Sequence, residues 1–396
     1  YLMSATMTPP SALDAIRAKA LAKYESLDWP ARHEENWRFG SWKEANLSGL
    51  EPVGAGTGAE LPTALEGMQR FVFHNAELIS GSADSVQLLA DAPELLPQSE
   101  SRLGSPKLSA LHRAQSSHGI VIKTDSVADI EIIHLVSGEG LLTPTVVIIA
   151  DDGAKVRVVE RFISTNDFDA TTVLCGADLI AGEGTKVTYL VTQELNANSK
   201  LVRLADSRLE ALAHAKQAVI HTGAKWVREE TYSTVDGMDA KSEILSVAVP
   251  TTGQEYDQRT FQHHGARDTH SDLLFKNTLF GKAKTIFSGL IFVDDGAHGT
   301  DAYQTCRNLM MTNECEANSM PGLEINADDV KCSHGSTSAR VSDEEIFYLQ
   351  ARGIDSKSAR NLVAQGFSIE AIEKLEDEQL ESLAIEVVAR KFAAIE

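Results

Sequence analysis

The sequence predicts a mainly β protein whose long central region is flanked by α-helical ends. Short β-rich runs recur over residues 119–332, among them IVIKT, IEIIHLV, TVVIIA, KVRVVERFI and LLFKNTLF. No helical pattern of about 10–15 residues recurs between them, which argues against alternating strand–helix units. Glycine-led turns punctuate the runs: Gly153-Ala-Lys-Val, Gly184-Thr-Lys-Val and Gly223-Ala-Lys-Trp. Many short strands admit a sandwich, a barrel or a parallel solenoid. The repeated Gly-x-Lys-apolar turn favours the solenoid, although its copies are unevenly spaced.

Composition narrows the function classes. At 396 residues the chain is too long for one compact core, so two or three substructures are expected. A formal net charge of −21 argues against nucleic acid or an anionic membrane as a partner. No apolar run approaches the ~18 residues of a membrane helix, and the start carries no signal-peptide pattern. Tyr1-Leu2-Met3-Ser4 reads as a leader, with Met3 or Met7 the initiator. Cys175, Cys306, Cys315 and Cys332 form no CxxC pair and no disulfide framework, so free thiols in a reducing cytoplasm are expected.

Residues 1–64 should form a helical region and linker. In a helix over 11–24, Leu13, Ile16, Ala20, Leu21 and Tyr24 fall near one face. Trp37, Phe39 and Trp42 follow closely, and aromatics this dense anchor a segment by packing. Glycines and prolines over 49–62 mark the linker. A mixed lead-in occupies 65–118, with strands at 69–73 and 86–89 and a helix over 106–117. The β core is placed at 119–341.

The end of that core carries the candidate site. Leu323 and Ile325 alternate with polar residues as in a half-buried strand. The phase breaks at Ala327-Asp328-Asp329 and resumes, shifted by one, at Val330 and Cys332. Two strands joined by an acidic corner follow, with Gly335 ending the second. Cys332 and His334 leave the same face of that strand, and a thiol beside an imidazole suits zinc or iron–sulfur chemistry. Two ligands do not complete a tetrahedral site, and a strand Cys is commonly just a small buried hydrophobe.

A helical domain is expected over 342–396. Ser342-Asp343-Glu344-Glu345 matches a capping box, and Gly353 ends the first helix. A second helix over 356–365 is closed by Gly366, and a third begins at Ser368. The last, over 376–394, has an apolar face of Leu380, Leu383, Val387 and Phe392. This tail should cap the open end of the β region.

Several chemistries lack their motifs. There is no GxxxxGK[ST], no GxGxxG after a strand, no HExxH and no GxSxG. His263, His264 and His270 lie within one short stretch and would suit a transition metal. On a strand, however, His263 and His264 point to opposite faces, so at most one shares a site with His270. Packing is the preferred reading there.

The string ADDVKCSHGS followed by DEEIFYLQARGI resembles the C-terminal signature of SufD members of the SufB/SufD family of iron–sulfur cluster assembly scaffolds. EENWRFG, the run SDLLFKNTLFGKAKTIFSGLIFV and Gln304-x-x-x-Asn308-Leu309 are similar to further family elements. Asn277 stands where the family often has Gly, and Met320 replaces a frequently basic residue. Cys306 and Cys315 fall where relatives commonly carry other residues. The resemblance implies a right-handed parallel β-helix core in which stacked Gln and Asn amides tie neighbouring coils. It implies a non-catalytic subunit pairing edge to edge with a SufB-like paralogue, or with itself in isolation. It also implies that the helical tail, whose apolar face exceeds what capping needs, docks a SufC-like ATPase. Cys332 and His334 match the family's C-x-H at the paired edge, where a transient iron–sulfur cluster forms and none is stably bound by this chain alone. His334 is the principal group there, and the paralogue supplies the main cysteine ligand. The alternatives are a solenoid zinc hydrolase using Cys332, His334 and Asp328, or a purely structural adaptor.

Overall fold

The structure is a computed structural model that describes residues 12–56, 58–96, 100–116 and 118–395. The expected leader at Tyr1–Ser4 and both Met3 and Met7 lie outside the described residues.

The chain opens with helix α1 (Ala12–Ser26), followed by β1 (Gln69–His74), β2 (Glu77–Ser80), β3 (Val86–Leu88) and α2 (Pro106–Gln115). Leu13 and Ile16 pack beside Leu89 and Leu96. Leu21, expected on the same face, is 46% exposed, because α1 has one narrow contact line and Leu21 falls outside it. Of the three clustered aromatics, Trp37 is the anchor: it is buried and stacks on Trp226 at 6.5 Å. Phe39 is exposed.

From His118 onward the alternating apolar pattern produces strands that pair in parallel. One sheet contains β5 (Val127–Val136), β8 (Lys155–Ser164), β10 (Lys186–Glu194), β12 (His214–His221), β14 (Lys241–Ala248), β16 (His270–Leu279), β18 (Asp301–Met310) and β20 (Lys331–Arg340). The other contains β4 (His118–Thr124), β7 (Pro144–Ala150), β9 (Thr171–Ala181), β11 (Lys200–Leu209), β13 (Trp226–Val235), β15 (Glu255–His264), β17 (Lys284–Val293) and β19 (Glu316–Ile325). The short β6 (Gly140–Leu142) pairs with β9. Successive strands alternate between the sheets, so the described core is a parallel β-solenoid of eight coils. The uneven spacing of the glycine turns now has a cause. Those at Gly153 and Gly184 lead into the first sheet, at β8 and β10, whereas that at Gly223 leads into β13 of the second.

The interior changes character along its length. Toward the N-terminal coils, residues such as Ile130, Ile132, Val158, Val187 and Leu201 form one continuous apolar cluster. Further along, amide–hydroxyl pairs cross from sheet to sheet: Gln217 to Ser207 at 3.1 Å, Gln258 to Ser246 at 2.8 Å and Gln262 to Ser271 at 2.9 Å. The expected amide stacking between coils is present, since Asn277 and Asn308 are register partners and the first donates to the second at 2.9 Å. Each such bond contributes about 1 kcal/mol net, and each would cost more if one partner were removed.

His112, His118 and His264 are among the buried histidines. Burial pushes His112 down to about 4 despite its contact with the Pro144 carbonyl, and pushes His118 and His264 down to about 3. Neither ring nitrogen of His118 has a hydrogen-bond partner. The unfolded chain takes up a proton near pH 6.5 that the folded chain refuses, so stability falls as pH drops below about 6.5. At pH 5 each such histidine is expected to cost about 2 kcal/mol. His118→Phe, which keeps the contact with Phe73, should make thermal unfolding less acid-sensitive between pH 6.5 and 5. An unchanged slope would show that His118 is not a source of the effect.

The tail departs from expectation in three ways. Gly335 does not end its strand, for β20 continues to Arg340 because all ten of its residues pair with β18. Helix α3 (Asp343–Gln350) begins as predicted, with the Ser342 side chain accepting from the Glu344 and Glu345 amides, and Gly353 follows at φ +88°. But α4 runs unbroken over Ser356–Ile372, through Gly366 and Ser368. An interior glycine costs a helix only about 1 kcal/mol, and burial of Ala364, Ser368, Ala371 and Ile372 against the solenoid outweighs it. The Ser368 hydroxyl stays within the helix, donating to the Ala364 carbonyl at 3.1 Å.

The third departure is position. With α5 (Glu378–Ala393) bearing the expected face of Leu380, Leu383, Val387 and Phe392, the tail does not cap the solenoid end. It folds back over the outer face of the first sheet, covering Val159, Leu190, Ile220, Leu245 and Val247. Ion pairs hold it there: Lys276 and Arg307 to Glu370, Lys374 to Asp272 at 2.7 Å, Arg157 to Asp377 at 2.9 Å and Arg390 to Glu194 at 2.6 Å. Those sheet residues are apolar, so the tail goes where the larger area is buried. The last coil stays open.

Candidate functional site

The open coil is made by β19 and β20, joined through a corner in which Asp329 adopts φ +54°. In earlier coils each strand is covered by the next. Here β19 and β20 are the final members of their sheets, so their backbone edges and interior face are uncovered. Almost every residue of β20 is exposed. Such an edge is a ready template for another chain.

Parallel register tells which side chains face inward. Cys332 pairs with Ala302 and His334 with Gln304, and both partners are buried inside the preceding coil. Cys332 and His334 therefore continue the interior face, their Cα atoms about 6.6 Å apart along the strand. Cys332 is half-buried beside Leu323, Ala327 and Val330 and below Ile291, Val293 and Ala302. That burial raises its thiol pKa, against a backbone hydrogen bond at Ala302 and with help from Asp301. His334 is exposed. Beneath it the buried Gln304 donates to the Gly289 carbonyl at 3.2 Å, while its Oε1 has no partner. A side chain at Gly289 would strike that amide, its Cβ coming within 2.4 Å of Oε1.

A thiol and an imidazole on one face can both bind iron or zinc. They are two donors where four are needed. Asp328 does not complete a set: among the described residues no three His, Cys, Asp or Glu side chains group to hold a metal ion. His263 and His264 are packing groups. His264 is buried between Thr269 and Ser271 at 2.8 Å each, and His263 points outward to Asp294 at 2.7 Å. Cys306 is buried under Asn277, Asn308 and Ser319, and burial pushes its thiol up to about 12. Cys315 is also buried.

Two features escaped sequence reasoning. Arg203, Glu229 and His221 form a charged cluster within the interior, with Arg203 3.0 Å and His221 2.6 Å from Glu229. Its sequence signal is Glu229 at an inward strand phase between Val227 and Thr231. Second, Phe347 and Tyr348 on α3 are 71% and 56% exposed. Only Ile346 of that helix is buried, so its two aromatics face solvent.

Among the described residues no helix is long and apolar enough to cross a membrane. Residues 134–367 match the family described as SUF system FeS cluster assembly, SufBD core domain. The iron–sulfur cluster assembly protein SufD of Escherichia coli is 33% identical over 251 residues, covering 60% of this chain and 56% of that protein. ABCI7, chloroplastic, of Arabidopsis thaliana is 23% identical over 96% of this chain and 86% of its own length. The SufBD family protein slr0076 of Synechocystis is 28% identical over 59% of this chain and 53% of its length. The alignments thus span just over half of two of these relatives and most of the third. The matched segment contains coils, open edge, Cys332 and His334 together, and on that match the chain belongs to the SufB/SufD family of iron–sulfur cluster assembly proteins.

Proposed function

We propose that this chain is a non-catalytic scaffold subunit for iron–sulfur cluster assembly. One observation supports it above the others: the last coil is open and presents Cys332 and His334 on its uncovered inward face. A second open edge of the same kind, from a SufB-like paralogue, would satisfy the free backbone groups of β19 and β20. In isolation a second copy of this chain can use the same edge. The cluster is cargo, held transiently where the two coils meet, with this chain contributing His334 and, in support, Cys332. A SufC-like ATPase docks on the helical tail and reshapes the junction as it turns over ATP. Four free thiols suit a reducing compartment such as the cytoplasm.

The exposed aromatics of α3 are the docking anchors in this reading. Deleting the whole tail is a poor test, because it would uncover the apolar sheet face that α4 and α5 bury. Phe347→Glu with Tyr348→Glu avoids that. Both positions are exposed, so stability should change by no more than about 0.5 kcal/mol each. Co-purification of the ATPase should fall at least about tenfold, as for loss of a central aromatic anchor, while pairing with the paralogue persists. Undiminished ATPase binding would refute the docking site.

A further inference from the structure

Lys155, Lys186, His214, Lys241 and His270 occupy one register position on five successive strands, β8, β10, β12, β14 and β16. They form a basic ladder on the outer face of the first sheet in a chain whose net charge is −21. Neighbouring rungs are about 4.8 Å apart, and like charges directly opposite one another destabilise a sheet unless something neutralises them.

The middle rungs, His214 and Lys241, are neutralised. Glu243 accepts from His214 and pairs with Lys241 at 3.2 Å. Although burial opposes it, these contacts and Lys216 hold the Glu243 carboxyl down to about 2. At the near rungs nothing does the same: among the described residues no acid pairs with Lys155 or Lys186. The two lysines border a cleft of about 270 Å³ roofed by Leu375, Glu376 and Asp377. Three carboxylates also line it, but each is engaged: Asp129 and Asp377 with Arg157 at 2.6 and 2.9 Å, and Glu376 with Lys216 at 2.9 Å. Arg157 serves two of the carboxylates and Lys216 the third, so the lining sets four fixed cations against three carboxylates, and Lys155 and Lys186 are the cations with no acid in contact.

We propose that this cleft binds a diphosphate group, bridged between Lys155 and Lys186. Two linked phosphates match two cations held one rung apart by rigid strands, and the roof limits the ligand to something small. The same chemistry comes from free pyrophosphate or from a nucleoside diphosphate. Calorimetric titration of the full chain with inorganic pyrophosphate, and separately with ADP, tests it at matched ionic strength. Saturable one-to-one binding is expected for at least one. Tighter ADP binding assigns the nucleotide source, and binding of pyrophosphate alone assigns the free anion. Lys155→Ala with Lys186→Ala should weaken binding at least about tenfold, the loss of one charge-assisted contact or more. Lys282→Ala, on an exposed pair with Glu314, should change nothing. Both lysines of the site are exposed and repel one another, so the melting temperature of the double variant should equal or slightly exceed that of the parent. No saturable binding, sulfate binding as tightly as pyrophosphate, or full affinity in the double variant would overturn the proposal.

Discussion

Arg228→Ala is expected to destabilise the protein by about 3–5 kcal/mol, the range for breaking a buried ion pair by removing one partner. Arg228 is fully buried on the outer face of the second sheet, beneath the N-terminal segment. It pairs with Asp257 at 2.6 Å and Glu230 at 2.8 Å, and donates to the carbonyls of Asn36 at 3.0 Å and Leu103 at 2.6 Å. Its guanidinium lies 4.1 Å from the Trp37 ring. One side chain thus ties two coils to two separate stretches of the N-terminal region. Alanine would strand a buried carboxylate and two carbonyls at once. Arg228→Lys should rescue little, because an ammonium cannot reproduce the planar fork that serves four acceptors. Urea unfolding reads the loss as a lower midpoint, and limited proteolysis should cut first within residues 29–47. A loss below about 1 kcal/mol would mean that Arg259, which also pairs with Asp257 at 2.6 Å, carries the cluster by itself.

In the reconstituted complex of this chain, a SufB-like paralogue and a SufC-like ATPase, His334→Ala should reduce cluster formation about tenfold or more while leaving assembly intact. The two readouts separate because His334 is exposed in this chain, so its loss removes a donor and almost no packing. Cys332 differs. It is half-buried against Leu323, Ala327 and Val330, so Cys332→Ala should loosen the last coil and disturb assembly along with cluster formation. Cluster formation undiminished in His334→Ala would leave the pair with a packing role and make the chain a structural adaptor.

The local chemistry was legible in the sequence because it depends on near neighbours. The two strands about the Ala327-Asp328-Asp329 corner, the shared face of Cys332 and His334, the Ser342 cap and the opposed directions of His263 and His264 each need only strand or helix period. The family motifs likewise lie in short strings. Even the solenoid was foreshadowed by its glycine turns, though their spacing looked irregular because the third leads into the opposite sheet.

What the tertiary structure decided rests on contacts between residues far apart in the chain. Gly366 is a helix stop by propensity, yet α4 passes through it because Ala364, Ser368 and Ala371 find an apolar sheet made of residues far earlier in the chain. The same burial draws the tail across the sheet face and away from the solenoid end. Whether Lys155 stacks on Lys186, or Cys332 lies over Ala302, depends on how many residues each coil takes. Periodicity within a strand cannot supply that number, since register between strands is set by turns and packing acting together. The residues that hold the site are therefore readable one strand at a time. That the last coil is open follows from where the largest apolar area of the tail could be buried.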